Sequence, residues 1–520
     1  MATIQKVSGI DFANISKFDG VDISAVGSIN FIGKPPTGNL LLDTSYGSGA
    51  EAAYSVRKLR TAYTGAAIQV QATTGGATAE IGFDVDNNLD TATLLAFAGT
   101  NEVRVSIWYD QSLNLNNAVQ TTVAQRPIVV AAGGALVEID GRAAMNLDGS
   151  TDGFDITSNI QGAYSIFTIG NPGGNDRYYQ DSTFGSRQFI IRNSSVAGNF
   201  SKYQNGTATS YLYGFTKELV EFISNAPTIL YTNTLLMRYT NSGAYLGDFS
   251  EYIIYTSDKS GTNQTSIQEN IGDYYTQNTP LLDTYSGAAA AYSLRLLDST
   301  YTGFAIKVQD NVGGATQDIG FDVFGELDTV RLLQYAGSND VFVETWYDQS
   351  GSGNNATQPT STSRPQIVSS GAVIVENGKP AVTIAASDVM PFTSAITTAQ
   401  TMLWVGKIST FRYNRVVGNS LELQASSQGY TNAITGTEKF NPTSISINGT
   451  NDTSSPYGSN LVGLYHSAYA LGSGVGTSGL QSIGWNGQAQ RSWSGPFQEL
   501  IIYSDARTTQ RTSIETNINT

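Results

Sequence analysis

The chain has 520 residues, of which 40% are hydrophobic and only 14% charged, with a formal net charge of −15 and no cysteine. The acidity excludes a nucleic-acid partner, because such a surface repels a phosphate backbone. The missing cysteines exclude disulfides, thiolate metal sites and cysteine nucleophiles together. Few charges combined with 54 Gly, 28 Tyr and 21 Phe predict an all-β chain with long polar loops. The N-terminus lacks the basic start and apolar core of a signal peptide. No apolar run reaches the roughly 18 residues of a membrane span.

In chain order, residues 1–38 stand apart. They hold two related units, Val7–Lys17 and Phe18–Ser28, in which apolar and polar residues alternate around a glycine. That pattern predicts short strands joined by tight turns. So short an arm buries no core of its own and needs a neighbour. Gly33–Gly38 reads as a linker.

Beyond the arm the sequence repeats itself. Ala52–Val130 aligns without a gap on Ala290–Val368, with over half of the positions identical. Solenoid units recur at about 20–50 residues, so this longer period marks a duplicated domain, with modules at 39–279 and 280–520. Each copy opens on a segment that reads as a small helical piece (Ala52–Leu59, Ala290–Leu297). An alternating strand follows in Tyr63–Gln71 and Tyr301–Gln309, then a Gly-Gly turn at Gly75 and Gly313. Asp90-Thr91 before Leu94-Leu95 and Gly99 predicts a capped helix with a glycine stop, repeated at Asp328, Thr329 and Gly337. Next comes a Val-, Val- and Trp-bearing strand that runs into Trp108-Tyr109-Asp110-Gln111-Ser112, matched by Trp346-Tyr347-Asp348-Gln349-Ser350. The closing strands, Phe249–Tyr255 and Phe497–Tyr503, precede helices with capping boxes Ser266–Glu269 and Thr512–Glu515. The middles, about 145–245 and 383–490, diverge, as variable binding loops on a fixed scaffold do.

Several residues are candidates for function. Asp110, Gln111, Asp348 and Gln349 either line a sugar site or accept the N–H groups of their own loops. Trp108 and Trp346, inside Val-rich strands, read as core. Trp485, Asn486 and Trp493, in loop-like sequence of the second middle, are stronger ligand candidates. Asp84, Asp86, Asn88 and Asp90 have the alternating oxygen spacing of a calcium loop, although the second module carries Phe324 and Glu326 at the middle two places. No other cofactor is indicated. The single histidine, His466, reads as structural.

The repeated segments Ala-Tyr-Ser-Leu-Arg-Leu-Leu (from Ala291), Tyr301-Thr-Gly, Asp318-Ile-Gly-Phe, Trp346–Ala356 and Phe497–Tyr503 resemble the concanavalin A-like (laminin-G-like) superfamily. More specifically, they are similar to the catalytic domain of family-54 α-L-arabinofuranosidases. The resemblance implies two tandem concanavalin A-like jelly-roll β-sandwiches with short helices. It also implies a retaining reaction on two carboxyl groups about 5–5.5 Å apart. The family's vicinal cysteine pair has no counterpart here. The acid's place reads Tyr239–Leu246 in one module and Gly487–Trp493 in the other, neither with an aligned carboxylate. For the nucleophile the first module offers Arg192-Asn-Ser-Ser-Val and the second only Glu422. Asp84, Asp90, Asp110 and Glu251, kept in the second copy as Asp322, Asp328, Asp348 and Glu499, belong to scaffold motifs.

These readings predict a non-enzymatic protein on the virion surface of a tailed phage: a capsid decoration, head fibre or tail fibre. Residues 1–38, which resemble phage attachment arms, would bind other virion proteins in a homo-oligomer. The two lectin-like modules would contact cell-surface polysaccharide, with no nucleic acid or membrane as partner. The alternatives are an arabinofuranosidase-like hydrolase and a bacterial glycan-binding adhesin.

Overall fold

A computed structural model describes four two-residue strands in the arm (residues 6–7, 10–11, 17–18 and 21–22) and most of residues 40–518. The longer stretches outside the described residues are 182–189, 192–199, 225–230, 237–243, 432–441, 453–464, 473–478 and 485–492. The chain divides into two compact units, residues 1–37 and 38–520.

In the first unit Lys6 pairs with Asp11 and Val7 with Ile10. The same hairpin recurs as Lys17 with Asp22 and Phe18 with Val21. The sequence repeat of the arm is therefore a repeat of two-residue-loop hairpins, the shortest connection antiparallel strands allow.

The second unit is all-β and antiparallel, and holds two strand systems whose pairings correspond, the first an open sheet and the second a closed barrel. In the first, the closing strand Leu246–Tyr255 is central. It pairs along one edge with Ala50–Ser55 and Met145–Asp148, and along the other with Ser165–Pro172. Glu218–Ser224 and Phe200–Gln204 extend that sheet outwards. A facing sheet runs through Ile68–Ala72, Val103–Trp108, Ala118–Val119, Phe154–Gln161, Tyr231–Leu235 and Tyr178–Asp181. The main core lies between the two sheets, around Trp108, Phe154, Ile166, Phe222 and Phe249.

Strand alternation sends the other side chains outwards. Phe167, Ile169, Leu219, Ile223 and Ile253 form a second apolar layer, capped by Ile267 and Ile271 of helix Thr262–Tyr275. The second strand system repeats this plan, from Ala288–Ser293 to Gly495–Tyr503 with helix Arg511–Ile518 behind.

The spacing Val-x-Val-x-x-Trp has a geometric cause. Val70 pairs with Val105 but Gln69 with Ile107, so Ser106 is an extra residue, a β-bulge. The extra residue reverses the alternation, so that Val103, Val105 and Trp108 all face the core. Glu344 is the matching insertion in the second system.

The opening segments differ from the expectation of a helix: Ala50–Ser55 and Ala288–Ser293 are strands. Their alanines lie wedged between a sheet neighbour on one edge and apolar layers on both faces. That setting favours small side chains, and tertiary packing overrides alanine's helical preference. The predicted helix at Thr91–Ala98 forms, with the Asp90 carboxylate accepting the Thr93 N–H at its start and Gly99 at φ 56° ending it.

Candidate functional site

The Trp-Tyr-Asp-Gln-Ser loop is built as a knot of hydrogen bonds. Asp110 Oδ1 accepts the N–H groups of Ala53 and Ser112, each at 2.8 Å, and Oδ2 accepts Ser112 Oγ at 2.7 Å and Asn116 N at 3.0 Å. Gln111 Oε1 accepts Leu59 N at 2.7 Å while its Nε2 donates to the carbonyls of Ser55 and Arg57. Asp348 and Gln349 repeat these contacts. All four side chains are buried, and their polar atoms are occupied by the scaffold. Of the two readings open in the sequence, the structure builds the loop-closing one.

Beside this knot lies a buried ion pair. Arg57 grips Glu251 with Nε at 2.7 Å and Nη2 at 3.0 Å, and Ser55 Oγ donates to the same carboxylate at 2.7 Å. Burial alone would lower the guanidinium's pKa, but the charge of Glu251 and its hydrogen bond outweigh it and hold it above its ordinary value. Arg57 Nη1 also donates to Asn270 of the following helix. Arg295, Glu499, Ser293 and Asn517 repeat the arrangement. It ties two strands to a helix, the scaffold role expected of these glutamates.

Trp493 lies outside any helix or strand, just before the closing strand, but it is not exposed as a ligand contact would be. It is fully buried, 5.2 Å from the Phe497 ring, and its Nε1 donates to Pro496 O. It packs as a core side chain because the inward alternation of the closing strand continues to it. Trp485 and Asn486 lie outside the described residues. The candidate calcium loop is closed on itself: Asp84 Oδ1 accepts the N–H groups of Asp86 and Asn88, and Asp90 caps the helix. Asn88 Oδ1 accepts from Arg142, and among the described residues no three acidic or histidine side chains converge on one point.

Two groups escaped sequence reasoning. Asp152 and Asp388 occupy equivalent places, each just before a residue whose carbonyl (Gly153 or Val389) accepts Nε2 of the repeated Gln120 or Gln358. Burial pushes Asp152 up to about 7, helped by the charge of Asp148, and Asp388 up to about 6. The loops before them differ in length, which hid the match.

The second group is a polar cluster inside the first sandwich. Glu218 is buried and faces Gly170 on the inner side of its sheet. Its Oε1 accepts Tyr179 OH at 3.0 Å and its Oε2 accepts Gln204 Nε2 at 3.0 Å. Gln204 is held in turn by the backbone of Tyr213, at 2.7 Å through both ends of its amide. The Tyr179 ring stands 5.5 Å from that of Tyr245 and 6.3 Å from that of Phe249. Leu236 donates its N–H to the Tyr179 carbonyl at 2.9 Å.

Strand register identifies the counterparts in the second sandwich, where Gly406 takes the place of Gly170. His466 then stands at the position of Glu218, Val416 at that of Tyr179, Ile447 at that of Gln204 and Trp493 at that of Tyr245. An acid hydrogen-bonded to Tyr179 and Gln204 in one copy thus corresponds to a histidine in the other, with a valine and an isoleucine in the places of its partners. No signal in the sequence marks Glu218, since it lies in the diverged middle.

No protein-family profile and no curated sequence matches the chain. Three solved structures are similar to it in fold. An arabinofuranosidase complexed with arabinofuranosyl-α-1,2-xylobiose shares 16% identity, covering 65% of this chain and 86% of that one at a TM-score of 0.31. A family-54 α-L-arabinofuranosidase soaked with a cyclic sulfate inhibitor shares 14%, covering 65% and 88% at 0.32. A variant of a family-54 enzyme soaked with 4-nitrophenyl α-L-arabinofuranoside shares 13%, covering 65% and 88% at 0.29. All three are glycoside hydrolases. This finding corrects the expectation of a chain without enzymatic activity, which rested on the absence of carboxylates at aligned sequence positions. Glu218 is a carboxylate that such an alignment does not find.

Proposed function

We propose that the chain is a carbohydrate-active protein of the glycoside hydrolase kind, with its reaction site in the first sandwich and Glu218 as the site's carboxyl group. The carrying observation is the Glu218–Tyr179–Gln204 cluster, present in one copy of a duplicated fold and replaced by His466, Val416 and Ile447 in the other. The repeated motifs that resemble family-54 arabinofuranosidases support the same reading. On this proposal Glu218 donates a proton to the leaving sugar oxygen, while Tyr179 and Gln204 fix its orientation. A retaining reaction pairs such an acid with a second carboxylate about 5–5.5 Å away. Residues 1–38 then serve as the attachment arm that carries the enzyme on a particle surface, with cell-surface polysaccharide as its target.

Assaying the full chain on 4-nitrophenyl α-L-arabinofuranoside tests the proposal. Glu218→Gln is expected to lower kcat at least ~100-fold, the usual contribution of a positioned acid, with the melting temperature little changed. Turnover that survives Glu218→Gln removes Glu218 from the mechanism. No turnover by the unaltered chain on aryl arabinofuranosides or on polysaccharide removes the hydrolase reading.

A further inference from the structure

Two turns of the same internal geometry have opposite surroundings. Asp84 and Asp322 each fold a turn by accepting the N–H groups two and four residues on, at 2.9 and 2.8 Å in the first and 2.9 and 3.1 Å in the second. Asp90 and Asp328 then cap the helices that follow.

The second turn is docked on the first sandwich. Phe324 is 5% exposed within the apolar layer of helix Thr262–Tyr275, with Lys217 Nζ 4.3 Å above its ring. Asp322 Oδ2 accepts Asn205 Nδ2 at 3.0 Å, Asp328 Oδ2 accepts Thr207 Oγ1 at 2.7 Å, and Gln334 donates to Ala208 O at 2.7 Å. Gly272 permits the approach: a Cβ there would collide with the Val323 carbonyl.

The first turn is open, with Val85 94% exposed. Three of its residues close it chemically. Asp86 stands where the second turn has Phe324. Asn88 stands for Glu326 and donates Nδ2 to Asp84 Oδ2 at 3.2 Å; Thr93 stands for Arg331 and donates Oγ1 to Asp90 Oδ2 at 2.6 Å. The two oxygens that Asn205 and Thr207 reach in the docked turn are thus filled from within.

The far end of the second sandwich shows the matching half. Asn448-Gly449 repeats Asn205-Gly206 in conformation, with φ 47° and 77° against 50° and 87°. Asn448 Oδ1 accepts Ser467 N at 2.9 Å as Asn205 Oδ1 accepts Leu219 N at 2.9 Å. Asn448 to Thr450 are exposed.

We propose that this turn and socket form an interaction surface for one partner only, the sandwich that follows in the same chain, and that Asp86, Asn88 and Thr93 stop a second copy from docking end to end. An open heterologous contact that does not close on itself propagates into filaments, and arrays of repeats need atypical end units to stay finite.

Small-angle scattering and sedimentation of the full chain test this, each variant read against the unaltered protein so that any association through residues 1–37 cancels. Phe324→Asp and, separately, Gly272→Asn are expected to raise the radius of gyration without changing the near-ultraviolet circular dichroism. A variant combining Asp86→Phe, Asn88→Glu and Thr93→Arg is expected to self-associate end to end with rising concentration. The proposal is overturned if both single variants scatter like the unaltered chain, or if the combined variant sediments like it. It is equally overturned if the unaltered chain already forms end-to-end assemblies that Val85→Asp abolishes.

Discussion

Leu113 and Leu115 hold the backbone at φ 77° and 61°, where the second sandwich has Gly351 and Gly353 at 83° and 69°. A leucine in this region crowds its own carbonyl at a cost of about 1–2 kcal/mol, and burial returns little, since the two side chains are 49% and 74% exposed. Asparagine tolerates the conformation. Leu113→Asn and Leu115→Asn should therefore each stabilise the protein by about 1 kcal/mol, read as a higher denaturant midpoint with an unchanged slope. The buried Arg57–Glu251 pair leads to the opposite expectation. Glu251→Gln leaves a guanidinium with no counter-charge in the interior and should cost about 3–5 kcal/mol; equilibrium unfolding would register a loss of that size. The motif residues were legible in the sequence because both copies keep them, and Asp110, Arg57 and Glu251 each stand where three or more hydrogen bonds meet. Asp152 and Glu218 were not. The first is displaced by a loop of different length. The second has a histidine and apolar residues as its counterparts, so comparison of the copies hides it.

Helices at 91–98 and 329–336 followed from their aspartate caps and glycine stops, signals local to the chain. The opening strands did not, because what makes Ala50–Ser55 extended is the closing strand nearly two hundred residues away. The closing helix was placed correctly, but its expected capping box was not: Ser266 and Glu269 lie inside Thr262–Tyr275, which begins after Gly261. Beneath that helix lies Glu221, whose carboxylate accepts from Gln264 at 2.7 Å and from Gln268 at 2.8 and 2.9 Å. Burial pushes it up to about 7, although the two amides pull it down. A raised carboxyl stabilises the fold fully below its ordinary value of 4.5, and that stabilisation is lost as the pH rises through about 7. Asp152 acts in the same sense. Thermal unfolding should accordingly show a higher Tm at pH 5 than at pH 8. Glu221→Gln should flatten that slope and raise stability at pH 8 by on the order of 1–3 kcal/mol.

At the scale of the whole molecule, the two β-sandwiches are not beads on a string. Phe324 is a residue of the second strand system that completes an apolar layer of the first, so their unfolding is coupled. Calorimetry of the unaltered chain should give one main transition for residues 38–520, and Phe324→Asp should split it in two. The sequence alone displayed the duplication, through identities spread over most of each scaffold. It did not display the joint, because the contact depends on what differs between the copies, Phe324 against Asp86.

The bulged residues Ser106 and Glu344 decide which way each tryptophan faces. Both sandwiches have the same surplus residue at the same register. Removing Ser106 would swing Trp108 out towards water and leave a hole of indole size at the centre of the molecule.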